Sequence, residues 1–143
     1  MTFDIDPLDA VIQYLKADSA LSSLVSGQIA VKHRYGKAWE MRSAGLAVKL
    51  DAGEPHLYVP LQTVRLELSC YGSTTVEAIS IWKQLVSMSR NDENKPVTVA
   101  SGDQAIVYSF LQDSGPSLLY DQDLDMDIVM VFFRATICEL KLA

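Results

Sequence analysis

The sequence predicts an α+β fold: a mainly antiparallel sheet of four to five strands with two main helices packed on one face. Two segments repeat apolar residues at helical spacing, and several others alternate apolar with polar residues. Helices do not alternate regularly with strands along the chain, which favours an antiparallel sheet over a doubly wound one. The 143 residues are 49% hydrophobic and 21% charged, which fits a single domain over residues 1–143 with a real core.

The first helix is predicted to begin at Pro7, with Asp6 as its N-cap, because proline's missing N–H costs nothing at the first helical position. Its apolar stripe follows at i, i+3, i+4 and i+7 and comprises Leu8, Val11, Ile12 and Leu15. Asp18 predicts a second cap, which opens a short helical turn that ends at Gly27.

The second main helix is predicted to follow Gly72, where Thr74 and Glu77 have the spacing of a capping box. Its inward stripe is predicted to comprise Val76, Ile79, Trp82, Leu85 and Val86. The junction between strand and helix is where phosphate-binding loops occur, but it lacks the other glycines and the lysine of that motif. A helix cap therefore explains these residues.

The remaining apolar segments are predicted as strands: Gln28–Lys32, Leu46–Leu50, Thr63–Tyr71, Val97–Val99, Gln104–Leu111 and Met126–Leu140. Asp51–Pro60 is predicted as a loop or hairpin end, and the turn at Ser114-Gly115-Pro116 is predicted to end the strand before it. Within the last strand, Ile128–Phe133 is apolar on both faces, whereas a strand with one wet face should alternate. Either the protein's own hairpin or a neighbouring subunit is expected to cover the second face.

The sequence offers no recognisable catalytic or metal-binding motif. The two histidines, His33 and His56, have no Cys or His at ligand spacing, and neither a Cys-x-x-Cys nor a His-x-x-x-His motif occurs. Cys70 and Cys138 lie among apolar residues of predicted strands and are expected to be reduced and buried, with a disulfide between adjacent strands as the alternative. Residues 121–127 superficially resemble a calcium loop, but the glycine and glutamate that such a loop needs are not in register. We expect no cofactor and no enzymatic activity.

Charge is unevenly distributed in this acidic chain, whose net charge is -6. Residues 31–50 carry five bases against one acid, a net of +4, while residues 113–127 carry five aspartates and no base, a net of -5. The aromatic and basic residues of the first segment are typical either of a protein interface or of a nucleic-acid patch, and the acidic chain favours the interface. Basic and acidic segments of neighbouring copies can then meet, or both can simply be solvated loops. The candidate interface residues are Arg34, Tyr35, Lys37, Trp39, Arg42, Asp121, Asp123 and Asp125.

Membrane association is not expected. The longest purely apolar run has six residues, Ile128–Phe133, and the acidic N-terminus lacks the basic start of a signal peptide. The sequence thus predicts a soluble protein that is made without export.

The pattern resembles the tail-completion, or tail-terminator, proteins of long-tailed bacteriophages. Asp9–Asp18 and Leu21–Ile29 look like that family's first helix and its approach to a strand. Val64–Ser73 looks like its central strand, which runs into the second helix at a Tyr-Gly-Ser type junction, and Phe132–Ala135 is similar to its C-terminal end, as are Tyr120 and Asp121. The chain departs from the family pattern in its long 33–62 region and its acidic 113–127 segment.

The resemblance implies a structural virion protein of the tail or neck, synthesised in the cytoplasm of a bacterial host. Such a protein forms a homo-oligomeric ring, usually a hexamer, at the head-proximal end of the tail tube. Its partners are the tail tube protein and a head connector or stopper protein, and DNA passes through the channel without specific binding. The alternatives are another neck or tail component, such as a head-completion stopper or a tube-like protein, or a small ligand- or DNA-binding domain.

Overall fold

The computed structural model describes residues 6–32, 39–40, 43–55, 61–91, 95–99, 102 and 104–140. Within these ranges the helices are α1 (Pro7–Lys16), α2 (Ser19–Val25) and α3 (Thr75–Asn91). The strands are β1 (Ile29–Val31), β2 (Gly45–Pro55), β3 (Leu61–Gly72), β4 (Lys95–Thr98), β5 (Gln104–Asp121) and β6 (Met126–Leu140).

The six strands form one sheet in the order β1-β2-β3-β6-β5-β4. β1 runs parallel to β2, and the other described pairings are antiparallel. The prediction of a mainly antiparallel sheet is therefore confirmed. The sheet has six strands instead of four to five because the short segments β1 and β4 pair at its two edges.

Local capping signals begin the helices where the sequence predicts. An Asp6 carboxylate oxygen accepts the backbone N–H of Leu8 at 2.9 Å, and Asp18 accepts that of Leu21 at 3.0 Å. Thr74 Oγ1 accepts the N–H of Glu77 at 3.2 Å, so the residues after Gly72 form a helix cap, as predicted.

Gly72 is required where β3 turns into α3. A Cβ atom at this position would lie 2.5 Å from the backbone nitrogen of Ala78 and 2.9 Å from the carbonyl oxygen of Thr74. Since both neighbours are backbone atoms, they cannot move aside as a flexible side chain would. The absence of a side chain thus lets the helix fold back directly onto the sheet.

The predicted inward stripe of α3 is partly wrong. Val76 is 75% exposed, and the fully buried helix residues are Ala78, Ile81 and Leu85. Ile79, Trp82 and Val86 pack against the core from its margin. The apolar residues of α3 lie on two adjoining faces and fit two overlapping helical stripes. Packing against the sheet buries the stripe that contains Ala78, Ile81 and Leu85.

The turn predicted at Ser114-Gly115-Pro116 does not end the strand. β5 continues to Asp121, with register shifts against β6 at Gln112/Ser114 and Ser114/Ser117. The Gln112 side chain compensates for the interrupted ladder, because its Nε2 donates to the carbonyl oxygen of Gly115 at 3.0 Å and its Oε1 accepts from Trp82 Nε1 at 3.2 Å. The irregular residues are thus absorbed as a bulge within a long strand.

The predicted start of the loop at Asp51 is too early in the chain. β2 continues to Pro55, with a register shift between Leu50 and Ala52, and pairs with the first residues of β3. Proline is tolerated there because it ends the strand. Residues 56–60 of the predicted loop lie outside the described residues.

The core lies between the helices and one face of the sheet. The alternate residues Val64, Leu66, Leu68 and Cys70 of β3 share this face and are all fully buried. At the centre Phe110 stacks on Phe133 with ring centroids 4.5 Å apart, and Tyr14 of α1 meets Phe110 edge-on at 5.4 Å. This aromatic cluster joins α1 to β5 and β6.

Phe110→Ala should destabilise the protein by about 3–5 kcal/mol, because it leaves a cavity between Tyr14 and Phe133. Urea denaturation measures the loss. Leu111→Ala is the matched control, since the Leu111 side chain is 56% exposed and its removal should change the free energy of unfolding by about 0.5 kcal/mol or less. Equal losses in the two variants would contradict this packing.

Candidate functional site

The clearest unpartnered feature of the described structure is the outer side of β5 over residues 108–121, which we call the open edge. β4 pairs with β5 only from Gln104 to Val107, and no described strand pairs with the outer side of β5 beyond that point. On its inner side β5 continues to pair with β6 as far as Asp121. The outer backbone donors and acceptors of the open edge therefore pair with no other strand in the described part of the chain.

The open edge is also apolar at its far end. Leu118 is 57% exposed, Leu119 45% and Tyr120 56%, although successive residues of a strand point to opposite faces. Tyr108 and Leu111 add further exposed apolar surface along the same strand. Contiguous exposed apolar side chains on an unpaired strand are typical of an interaction surface.

The open edge ends in an acidic turn, residues 121–127, which joins β5 to β6. Asp121 Oδ1 accepts the backbone N–H groups of Asp123 at 2.9 Å and Leu124 at 3.1 Å, so Asp121 shapes the turn. The Tyr120 hydroxyl donates to Asp125, and this hydrogen bond, with partial burial and the nearby acidic charges, raises the pKa of Tyr120. The three predicted interface aspartates thus lie together at one corner of the sheet.

The second face of the sheet carries a network of charged residues centred on Arg65 of β3. Arg65 Nε lies 2.7 Å from Asp113 of β5, and Arg65 Nη1 lies 2.6 Å from Asp51 of β2. Arg134 of β6 approaches the other oxygen of Asp113 at 3.4 Å. The guanidinium of Arg65 also lies over the ring of Phe132, 4.1 Å from its centroid. Four strands are thereby tied together beside the bulge in β5.

This network partly covers β6, the strand whose residues 128–133 are apolar on both faces. Val129, Val131 and Phe133 are buried beneath the helices, whereas Ile128, Met130 and Phe132 on the second face are half-buried. Part of the cover comes from the chain itself, since Arg65 lies on Phe132.

Trp39 lies beside the start of β2, at the end of the sheet that also carries the acidic turn, with β3 between β2 and β6. Its half-buried indole packs against Gly45 at the start of β2, where a Cβ atom would lie 2.5 Å from Trp39 Cζ2. Gln28, next to β1, accepts the backbone N–H of Glu40 and donates to the carbonyl oxygen of Ala44 at 2.8 Å. Trp39 and Glu40, which belong to the basic segment (residues 31–50), are therefore held beside Gln28 and the start of β2. The other predicted interface residues of this segment, Arg34, Tyr35, Lys37 and Arg42, lie outside the described residues.

Among the described residues no three His, Cys, Asp or Glu side chains form a group that could hold a metal ion. Cys70 is buried, as predicted, which raises the pKa of its thiol, whereas Cys138 is half-buried, so the prediction of burial is wrong for Cys138; both are free. No helix in the described part of the chain is long and apolar enough to cross a membrane.

Two features of this surface escaped the sequence interpretation. The sequence prediction places Leu118-Leu119-Tyr120 in an acidic segment after a turn, although the apolar character of these residues is a signal for a continued strand. The partnership of Arg65 with Asp113 joins residues 48 positions apart, and no local pattern predicts it.

No protein-family model matches the sequence, and no curated protein matches it. A search of solved structures finds similarity to a chain of the virion of native gene transfer agent (GTA) particle, with a TM-score of 0.57 and 16% sequence identity. The similarity covers 94% of this chain and 95% of that one. This chain shares its fold with a virion chain. The shared fold spans both the helical layer and the long β5–β6 hairpin, since almost the whole of each chain is aligned.

Asp113→Asn should weaken the dependence of stability on acid pH. The hydrogen bond from Arg65, reinforced by Arg134, holds the pKa of Asp113 below its ordinary value of 3.8. The stability contributed by Asp113 is therefore complete above the pKa of the unfolded state and is lost as pH falls through the lower pKa of the folded state. Urea denaturation at about pH 6 and about pH 3 measures the difference, which should be smaller in Asp113→Asn than in wild type. Asp123→Asn, an exposed change on the acidic turn, is the control, and an unchanged pH dependence in Asp113→Asn would contradict the network.

Proposed function

We propose that this protein is a structural subunit of a phage-like virion that forms a ring at the head-proximal end of the tail tube. The ring ends tube growth and joins the tail to the head connector. The observation that carries the proposal is the shared fold over 94% of this chain and 95% of a gene transfer agent virion chain. The family resemblance seen in the helix, strand and junction patterns supports the position at the tail end.

The open edge supports assembly as the mode of action. A strand with an unpaired side and exposed Leu118, Leu119 and Tyr120 is suited to contact with another protein. The mechanism is geometric: one ring face complements the tube, the other complements the connector or stopper protein, and the subunits are copies of this chain. Six copies match the number usual in the resembling family.

DNA is proposed to pass through the ring without specific binding. The net charge of -6 disfavours phosphate binding, and an acidic lining repels the DNA backbone and lets it slide. The second candidate function is that of a head-completion stopper or a tube-like component. The match to a virion chain supports such a component equally, because it does not specify a place in the particle.

The mass of the assembled protein, measured by light scattering and native mass spectrometry, is expected to correspond to a hexamer, alone or in the presence of tail-tube protein. Adding the protein to polymerising tube protein should shorten the tubes and leave a ring at one end in electron micrographs. Binding to connector protein without any effect on tubes would move the protein to the stopper position. A monomer that binds neither tube nor connector protein would contradict the proposal, and salt-dependent binding to duplex DNA would favour a DNA-binding module.

A further inference from the structure

A cleft with a volume of about 530 Å³ runs along the second half of α3. Four of its lining residues, Lys83, Val86, Ser87 and Arg90, recur at i, i+3, i+4 and i+7 and therefore share one face of the helix. Trp82 also lines the cleft, and no acidic residue is among the described residues that line it. This site, which we call the α3 cleft, thus combines apolar with basic side chains.

The apolar part of the α3 cleft is held in place by the fold. Trp82 Nε1 donates to Gln112 Oε1 of β5 at 3.2 Å, which fixes the indole before any partner binds. Trp82 and Val86 pack against the margin of the core and are half-buried, so part of each side chain is left to the cleft. A tryptophan with a fixed orientation suits an anchor in a protein contact, because little conformational entropy is lost on binding.

The basic part of the α3 cleft has no ionic partner in the described part of the chain. Lys83 and Arg90 are exposed, and unlike Arg65, which binds two aspartates, neither forms an ion pair there. Asp92 and Glu93, which follow α3 in the sequence, lie outside the described residues. The cleft therefore suits an occupant that brings carboxylates together with apolar surface.

The acidic turn of this chain has the chemistry that the α3 cleft requires. Its four aspartates are accompanied by no base, and the exposed carboxylate of Asp123 has no partner among the described residues. Leu118 and Leu119, which lie shortly before the turn, are largely exposed. The turn thus offers carboxylates beside apolar side chains, and the cleft offers bases beside an indole.

The acidic turn and the α3 cleft of one chain lie too far apart to meet. Thr75 Oγ1 donates to Asp127 at 3.0 Å, which places the turn at the start of α3. Arg90 lies fifteen residues further along the helix, about 22 Å away at a rise of about 1.5 Å per residue. The two surfaces can therefore meet only between copies.

We propose that the α3 cleft receives the acidic turn of a second copy of this chain. Lys83 and Arg90 then lie beside the carboxylates of the turn, and Trp82 lies against the leucines that precede it. Because the turn and the cleft are at different ends of α3, one copy can use both at once, and such a head-to-tail contact repeats around a ring instead of stopping at a dimer. The inference rests on the proposed function, since it supplies the contact between ring subunits.

A charge exchange tests this contact. The cleft variant carries Lys83→Glu with Arg90→Glu, which changes the charge of the cleft from +2 to -2, and the turn variant carries Gln122→Lys with Asp123→Lys, which changes residues 122–123 from -1 to +2. All four positions are exposed. Each variant alone should raise the dissociation constant of the assembly at least about tenfold, because like charges then face each other. In an equimolar mixture the reversed cleft meets the reversed turn, so the wild-type dissociation constant should return, with the two variants in equal amounts.

The control and the outcomes separate the contact from the function. Lys16→Glu with Lys49→Glu makes the same change in net charge as the cleft variant on two exposed bases outside the cleft, and it should assemble as wild type does. Sedimentation measures assembly with and without tail-tube protein, and urea midpoints verify folding. If wild type forms rings and both variants form them equally well alone, or if the mixture does not recover, the contact is wrong while the proposed function stands. If wild type assembles under neither condition, it is the proposed function that fails.

Duplex DNA is the competing occupant, because two bases beside an indole also suit a phosphate backbone with its bases. The net charge of -6 disfavours it. Wild type that assembles without binding duplex DNA supports the proposal. Salt-dependent DNA binding that is lost in the cleft variant would assign the cleft to phosphate and overturn the proposal.

Cross-linking gives an independent test that does not depend on charge. In a Cys138→Ser background the remaining native thiol, Cys70, is buried, so a short bis-maleimide reacts with introduced cysteines. Lys83→Cys with Gln122→Cys should give covalent chains longer than a dimer on a denaturing gel, because every copy then carries both halves of the contact. Lys16→Cys with Gln122→Cys, which places the first thiol on another exposed helix lysine, is the control and should stay uncross-linked. Absence of cross-links in the first variant, under the condition in which wild type assembles, would overturn the contact.

Discussion

The structure depends on the pairing of β6 with β3 on one side and β5 on the other. β6 spans Met126–Leu140 and is paired with β3 from Gly72 to Leu61, so it forms the middle of the sheet. One set of its side chains, including Val131, Phe133 and Ile137, is buried beneath the helices. Because every described helix packs on that face, the position of β6 fixes both the core and the strand that is left at the edge.

The apolar second face of β6 has less need of a partner than its sequence suggests. Ile128, Met130 and Phe132 are half-buried, and the Arg65 guanidinium both covers Phe132 and joins Asp51 to Asp113. A guanidinium can do this because its face stacks on an aromatic ring while its edge donates hydrogen bonds. Among the described residues, the edge of β5 is therefore better suited to contact another protein than the second face of the sheet is.

A sheet with an open edge suits the assembly role that we propose for this protein. On the helical side of the sheet, Gln112 binds both Trp82 and the bulge in β5. On the second face, Arg65 binds Asp113 and Ser114 beside the same bulge. A strand fastened in this way presents its free side without losing much conformational entropy on binding. The chain shares its fold with a gene transfer agent virion chain over 94% of its length.

The sequence by itself determined the local structure: the caps at Asp6 and Asp18, the alternation that buries one face of β3, and the extent of β6. These follow from interactions within a few residues, where spacing decides which side chains meet. Tertiary structure alone decided that β5 continues through Gly115 and Pro116, because the compensating hydrogen bonds come from Gln112 and from Trp82 on another element. It also decided which strand lies at the edge, since strand order depends on pairings between residues far apart in the chain, which leave no local signal.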